Sequence, residues 1–367
     1  MNKSNIKNIL DQYADRFDEL NGVHEEWYKW TAIDHFKGNW DIDADDFAGM
    51  FNEAVANIKS TNLIDSTTLP LRGILEILKI EENVEPVREA FRELFSDDSG
   101  NLDARLDRIY KFIDTINKIT LEHFKDTWKY LQNRNSVIWY LNLWDPENNF
   151  IYKAEQAKNM AACIEYSEDI GQGINFSLEK YYGMCKALLR EITNHKELMD
   201  KHFSSKDRKV TNFVDDLHIL AFDVIYCAGT YNFYTGMDIF RGNAEQRKKH
   251  ATIREIKEAL EEKEELLSYL EKNRPVYPDF NGCNVNHKKY GECIVRESVE
   301  GKLEFQLDVA GETKHFSDIM KLIGASVLTI LDSDINEQYL SLKRWEDRKY
   351  VAKMERTNLQ IALAKLK

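Results

Sequence analysis

The chain has 367 residues, of which 43% are hydrophobic and 31% charged, with only five Pro and sixteen Gly; this composition favours long helices and argues against an all-β or a disordered chain. The formal net charge of −13 is unevenly spread: residues 1–240 carry 27 Lys and Arg against 41 Asp and Glu, and residues 241–367 carry 23 against 22. The first part is therefore a poor nonspecific surface for nucleic acid, and a phosphate-bearing partner is expected in the second.

Length alone suggests two domains, at roughly 100 to 200 residues each. The five cysteines, Cys163, Cys185, Cys227, Cys283 and Cys293, are widely spaced and read as reduced thiols. No run approaches the ~18 consecutive apolar residues of a membrane span. The opening MNKSNIKNILDQYADRF lacks a signal-peptide core. A cytoplasmic protein with no membrane partner is the expectation.

In chain order, Ile6, Ile9, Leu10, Tyr13, Phe17 and Leu20 recur at spacings of three and four and predict an amphipathic helix over 4–20. A second helix runs through Trp27, Trp30, Ile33 and Phe36 and breaks at Gly38-Asn39. Asp43 is placed to cap a third, with acidic residues in its first turn and Phe47, Met50, Phe51 and Val55 along one face. Residues 71–95 predict a helix pair: Leu71, Ile74, Leu75 and Leu78 line the first, Val87, Phe91, Leu94 and Phe95 the second, with Pro86 in its first turn. After the turn Ser96-Asp97-Asp98-Ser99-Gly100, a long helix is expected from Leu102 to about Tyr130. The aromatic-rich stretch SVIWYLNLWDPENNFIYKAEQAKNMAACIEY turns at Asp145-Pro146, and Trp139, Trp144 and Tyr152 are expected in the core. Helical runs follow at Leu178–His202 and Val214–Tyr226, the latter apolar nearly all round and so deeply buried.

The blocks KWTAIDHFKGNWDIDADDFAGMF, LFSDDSGNLDARLDRIYKF, Trp139 to Lys153, YYGMCKALLREI and DDLHILAFDVIY follow in order over roughly residues 25 to 230. Together they resemble the helical region that precedes the AAA+ motor in McrB-type restriction ATPases. That resemblance implies a bacterial defence or restriction role with a protein partner. No GxxxxGK[ST] loop occurs in the chain, so nucleotide hydrolysis is not carried over.

Ala244 to Asn273 is a charged helical segment with Ile253, Ile256, Leu260, Leu267 and Leu270 in a three-four register that Lys263 would complete. It reads as a connector over 241–274 or as a dimerisation helix over 246–272. Arg274-Pro275-Val276-Tyr277-Pro278 ends it. Short strands are then predicted at Val285, at Ile294 and Val295, at Leu303, Phe305, Leu307 and Val309, and at His315-Phe316, with turns at Glu300-Gly301 and Ala310-Gly311. VNHKKYGECIV resembles small SH3-like barrels of the form V-x-H-x-x-[FY]-G-x-G-x-V, with Cys293 in place of the second glycine. A basic helix from about Ile335 to Lys367 closes the chain. The fold expected is thus mainly α: a multi-helix domain at 1–240, the connector, a small antiparallel β barrel at 275–331, and a terminal helix at 332–367.

Candidate chemistry is sparse. Arg190 and His195 match the RxxxxH spacing of HEPN-type ribonucleases, in which both act on the scissile phosphodiester from one helix turn. Cys283, His287 and Cys293, with His315, could be written as a zinc site, although the spacing is not that of a CxxC knuckle. Asp238 with Glu255-Ile256-Lys257 lies in a helical run and lacks the strand context of a metal-dependent nuclease. Tyr290 beside Lys288 and Lys289 could stack a base or simply fill the core of a tiny domain, and Lys343, Arg344, Arg348 and Lys349 could contact phosphate. The expected function is a non-motor recognition or adaptor protein, needing no cofactor, that binds nucleic acid or a protein partner through its C-terminal half. An HEPN-like ribonuclease and a homodimeric scaffold are the alternatives.

Overall fold

Spacings of three and four do build helices along most of the chain: in the computed structural model 62% of it is helical, with a small five-stranded antiparallel sheet near the C-terminal end. The structure describes all residues except 59–62, 66, 98, 126–127, 206–209, 214–215, 303 and 367, and the side chain of Ile174. The expectations placed on Asp98, Val214, Leu303 and Lys367 lie outside the described residues. Two compact units divide the chain, Met1–Ala251 and Thr252–Lys367. No helix among the described residues is long and apolar enough to cross a membrane.

The first unit begins with α1 (Lys3–Asp15), α2 (Phe17–Gly22), α3 (Tyr28–Asn39) and α4 (Phe47–Ala54). The helix expected over 4–20 is thus two, because Arg16 leaves helical geometry at φ −97, ψ 11. Asp46, rather than Asp43, caps α4 by accepting from the Gly49 amide at 2.8 Å. Asp43 instead pairs with Arg92 at 2.9 Å, so the acidic residues precede the helix and do not fill its first turn.

Next come α5 (Pro70–Ile77), α6 (Glu81–Leu94) and α7 (Leu102–His123). Pro86 is the sixth residue of α6, not part of its first turn. Its missing N–H forfeits one intrahelical bond, which the burial of Val87, Phe91 and Leu94 offsets. Gly73 in α5 sits where an added Cβ would lie 2.4 Å from the Tyr130 carbonyl oxygen. Gly73→Ala is therefore expected to destabilise the protein by about 1–3 kcal/mol through overpacking, against a helix-propensity gain of about 1 kcal/mol. A urea titration of both proteins measures the difference.

The aromatic stretch forms α8 (Arg134–Trp144), the turn at Asp145-Pro146, an extended passage at 150–153, and α9 (Ala154–Cys163). Trp139 and Tyr152 are buried as expected, and Trp144 is half-buried with its ring stacked 5.0 Å from that of Phe95. The run expected over Leu178–His202 is α10 (Leu178–Asn194) and α11 (Lys196–Ser204), separated at His195. Then α12 (Leu217–Thr230) is buried nearly all round. One hydrophobic core joins α1 to α12. The first helix is tied to the end of this unit: Asn5 donates to the Asp238 carbonyl at 3.0 Å, Gln12 to that of Phe233 at 3.0 Å and Arg16 to that of Tyr231 at 3.1 Å.

The division between units falls inside α13 (Ala244–Lys272). The second unit continues with β1 (Asn284–His287), β2 (Gly291–Glu297), β3 (Glu304–Val309), β4 (Glu312–Ser317), α14 (Ile319–Gly324), β5 (Leu328–Ile330) and α15 (Ser333–Leu366). The strand order is β4-β3-β2-β1-β5, all antiparallel, with Val285 opposite both Cys293 and Ile330. Alternate residues point inward, so Val285, Cys293, Val295, Phe305, Leu307 and Leu328 make a second core. Cys293 fills space in that core, where a glycine would leave a gap.

Outside the sheet, α13 and α15 run antiparallel. Lys263 pairs with Glu355 at 2.7 Å, Glu271 with Lys349 at 3.4 Å, and the Trp345 indole donates to the Leu270 carbonyl at 2.7 Å. The seam read from the α13 sequence, ending in buried Leu267 and Leu270, therefore meets α15 of the same unit, where Leu342 and Ala352 are buried.

Candidate functional site

The chemistry-bearing residues of the second unit gather at the turn between β1 and β2. Gly291, at φ +74, lets the chain reverse after Tyr290, whose amide donates to the His287 carbonyl at 3.1 Å. The sheet curls enough to bring Phe316 of β4 over this turn, with ring centroids 5.2 Å from His287 and 6.1 Å from Tyr290. His287 and Tyr290 are themselves 4.8 Å apart. Two ammonium groups flank the half-buried Tyr290 ring, Lys314 at 4.6 Å and Lys289 at 5.2 Å, and Lys288 is exposed beside them.

His287 is buried, and that burial, with the charge on Lys289, holds its pKa below the ordinary imidazole value. The ring is therefore neutral near pH 7. Its Nδ1 accepts from the Lys289 amide at 3.1 Å, which assigns the remaining proton to Nε2. The arrangement is a fixed aromatic cluster with positive charge at its edge, suited to a planar group that carries negative charge nearby. Sequence reasoning found Lys288, Lys289 and Tyr290. It missed Lys314 and Phe316 as members, because a sequence does not show how far a sheet curls.

The basic residues of α15 do not form one surface. Lys349 lies in the seam, 4.8 Å from the Trp345 ring and paired with Glu271, and Lys343 pairs with Asp347 at 3.3 Å. Arg344 and Arg348 are exposed one turn apart. The zinc-type set is not assembled: Cys283 and Cys293 are buried thiols whose pKa values burial raises, to about 12 for Cys283, and the Cys293 thiol donates to the Gly291 carbonyl. His315 is exposed.

In the first unit Arg190 is exposed on α10, and His195 stands between α10 and α11. Both imidazole nitrogens of His195 are engaged, Nδ1 accepting from the Leu198 amide at 3.2 Å as a helix cap and Nε2 meeting Asp11 at 3.0 Å. A general acid needs a proton it can release to substrate; this ring is committed to holding α11 and α1.

A buried ionic cluster escaped the sequence reading. Lys29, 1% exposed, donates to Glu26 and to Asp223 at 2.6 Å. Tyr13 donates to Asp223 at 2.5 Å, the Cys227 thiol to the same carboxylate at 3.6 Å, and Tyr231 to Glu26. One turn pair earlier on α12, Asp216 accepts from the Trp30 indole at 2.7 Å and lies 3.0 Å from His202. Among the described residues, Glu26, Asp223 and Cys227 are the only three metal-type ligands within reach of one another. The Lys29 ammonium already supplies the cation there, so the cluster is a closed structural unit. Its signal in the sequence was Asp223 inside the apolar run LAFDVIYCA, since a carboxylate so placed demands partners.

Compared with known proteins, the chain gives no significant match to any family model, to any curated protein or to any solved structure.

Proposed function

We propose that this protein is a non-motor recognition or adaptor component of a bacterial defence or restriction-type system, whose second unit binds single-stranded nucleic acid at the Tyr290 cluster. The observation that carries the binding is the Tyr290 ring, braced by His287 and Phe316 and flanked by Lys289 and Lys314. Aromatic stacking beside ammonium groups holds single strands without reading sequence. Support for the system comes from the ordered blocks between residues 25 and 230 and their likeness to the region before a restriction motor. The sheet order and the VNHKKYGECIV turn are in keeping with an SH3-like module.

Fluorescence anisotropy of a labelled oligothymidylate with the full chain tests the reading. Binding should weaken about tenfold for Tyr290→Leu, which keeps an apolar side chain in the cluster and removes the stacking face. Lys314→Gln should lower the salt dependence of binding, by a slope of about 0.7 for each phosphate it no longer neutralises. Absence of binding at low salt, or equal binding by wild type and Tyr290→Leu, would overturn the proposal.

A further inference from the structure

Apolar surface left open to solvent is concentrated in the second unit. Among the described residues fifteen large apolar side chains are exposed, and ten of them lie in Thr252–Lys367, less than a third of the chain. Five belong to α15: Leu340, Tyr350, Val351, Met354 and Ile361. Val351, Met354 and Ile361, at 51%, 47% and 50% exposed, recur at spacings of three and seven and so share one side of the helix. It is not the side turned to α13, where Leu342, Trp345, Lys349 and Ala352 form the seam. A solvated helix needs one apolar row; α15 has two, and the second has no cover.

A groove of about 360 Å³ runs between α13 and α15, and among its walls are Leu266, Arg348, Val351, Ala352 and Glu355. Residues three and four apart extend this face: Ala259, Glu262, Leu266 and Tyr269 on α13, and Arg344, Arg348, Val351 and Glu355 on α15. Tyr269 is itself exposed. Charge is divided between the two helices. From Thr252 to Lys272, α13 carries seven acidic residues to four basic, and from Lys343 to Leu366, α15 carries seven basic to three acidic. Glu262 and Glu265 on α13, and Arg344 and Arg348 on α15, have no salt-bridge partner among the described residues.

A partner for this face must offer an apolar centre, basic groups opposite α13 and acidic groups opposite α15. Nucleic acid cannot, because its phosphates would meet the α13 carboxylates. A second copy of the chain meets all three conditions. About a two-fold axis parallel to the helices, α13 of one copy lies against α15 of the other and runs antiparallel to it. Acid then meets base, and the rows around Leu266 and Val351 of both copies close over one another. We propose that the chain is a homodimer joined through the α13–α15 face as a four-helix bundle. The seam of α13 alone is not the dimer contact, since α15 of the same copy already fills it. The Tyr290 cluster lies on other elements, so this inference stands apart from the nucleic-acid reading.

Sedimentation equilibrium of the full chain tests it, and a dimer is the expected species. Val351→Lys places a charge at an exposed position that the fold of one copy does not need. It should shift the equilibrium to monomer and leave the helical circular dichroism unchanged. Glu262→Arg with Glu265→Arg should weaken association about tenfold or more, and so should Arg344→Glu with Arg348→Glu, because each pair sets like charges across the interface. All four substitutions together restore opposite charges, and association should return toward that of wild type. A chain that stays monomeric at about 100 μM, above the Kd range of specific interfaces of ordinary size, would overturn the proposal. Undiminished association in Val351→Lys and in both charge reversals would place the contact elsewhere and overturn it as well. A fourfold variant as weak as the two double variants would overturn the setting of α13 against α15.

Discussion

Lys29→Met should cost the first unit about 3–5 kcal/mol, the usual consequence of removing one partner from a buried ion pair. Lys29 and Asp223 are 1% and 0% exposed, and Glu26 is buried with them. Without the ammonium, two carboxylates would face each other in the core with, among the described residues, the side chains of Tyr13, Cys227 and Tyr231 donating to them. Urea denaturation reads the loss. The double variant Lys29→Met with Asp223→Leu should recover part of it, because it removes a stranded charge along with its partner. A single variant that loses under about 1 kcal/mol would mean that the cluster is not dry.

The same cluster fixes the sign of the alkaline pH dependence. Burial tends to lower the pKa of Lys29, but Asp223 and its neighbours outweigh this and hold it above its ordinary value of 10.5. Burial and Asp223 raise Tyr13 above 10.0 and Cys227 above 9.0. All three keep their protons longer in the folded chain than in the unfolded one. Their contribution is therefore complete below about pH 9 and is lost as pH rises above it.

Phe91→Ala is the second large effect, also about 3–5 kcal/mol. The Phe91 ring lies 4.9 Å from Phe112, 5.3 Å from Phe51, 5.4 Å from Trp40 and 5.5 Å from both Phe95 and Tyr140. Truncation would open a cavity bounded by rings from α4, α7 and α8 and by Trp40 and Phe95 at the ends of α3 and α6, which are too stiff to collapse into it. Phe91→Leu should cost less than about 1.5 kcal/mol, since it nearly conserves volume. Chemical denaturation of the two variants side by side separates cavity formation from the removal of the ring itself.

Periodicity made the helices legible, because Ile6, Ile9 and Leu10 or Leu71, Ile74 and Leu78 can share a face in no other regular structure. What it did not show was where a helix yields to tertiary demand. Arg16 and His195 each interrupt a continuous apolar pattern. Pro86 was tolerated inside α6 because packing outweighed one lost hydrogen bond. Strand β5, three residues long, carries too few alternations to register as a period and exists through its pairing with β1. For the candidate sites the limit is similar. Tyr290 and its lysines are adjacent in sequence and were found, whereas Lys314 and Phe316 arrive from another strand. Of the residues expected in the core, Trp139 and Tyr152 are buried and Trp144 is half-buried.

The bonds from Asn5, Gln12 and Arg16 to carbonyls between residues 231 and 238 bear on how the chain is made. During synthesis α1 precedes its partners by a long stretch of chain: the Cys163 carbonyl that Asn5 also reaches lies 158 residues on, His195 lies 184 residues after Asp11, and the carbonyls of Tyr231, Phe233 and Asp238 follow later still. The second unit repeats the pattern, with β1 waiting for β5 and α13 for α15. Such distant closures slow folding. They leave the apolar face of α1 without its partners while the intervening residues are made, a window in which a chaperone would have a target.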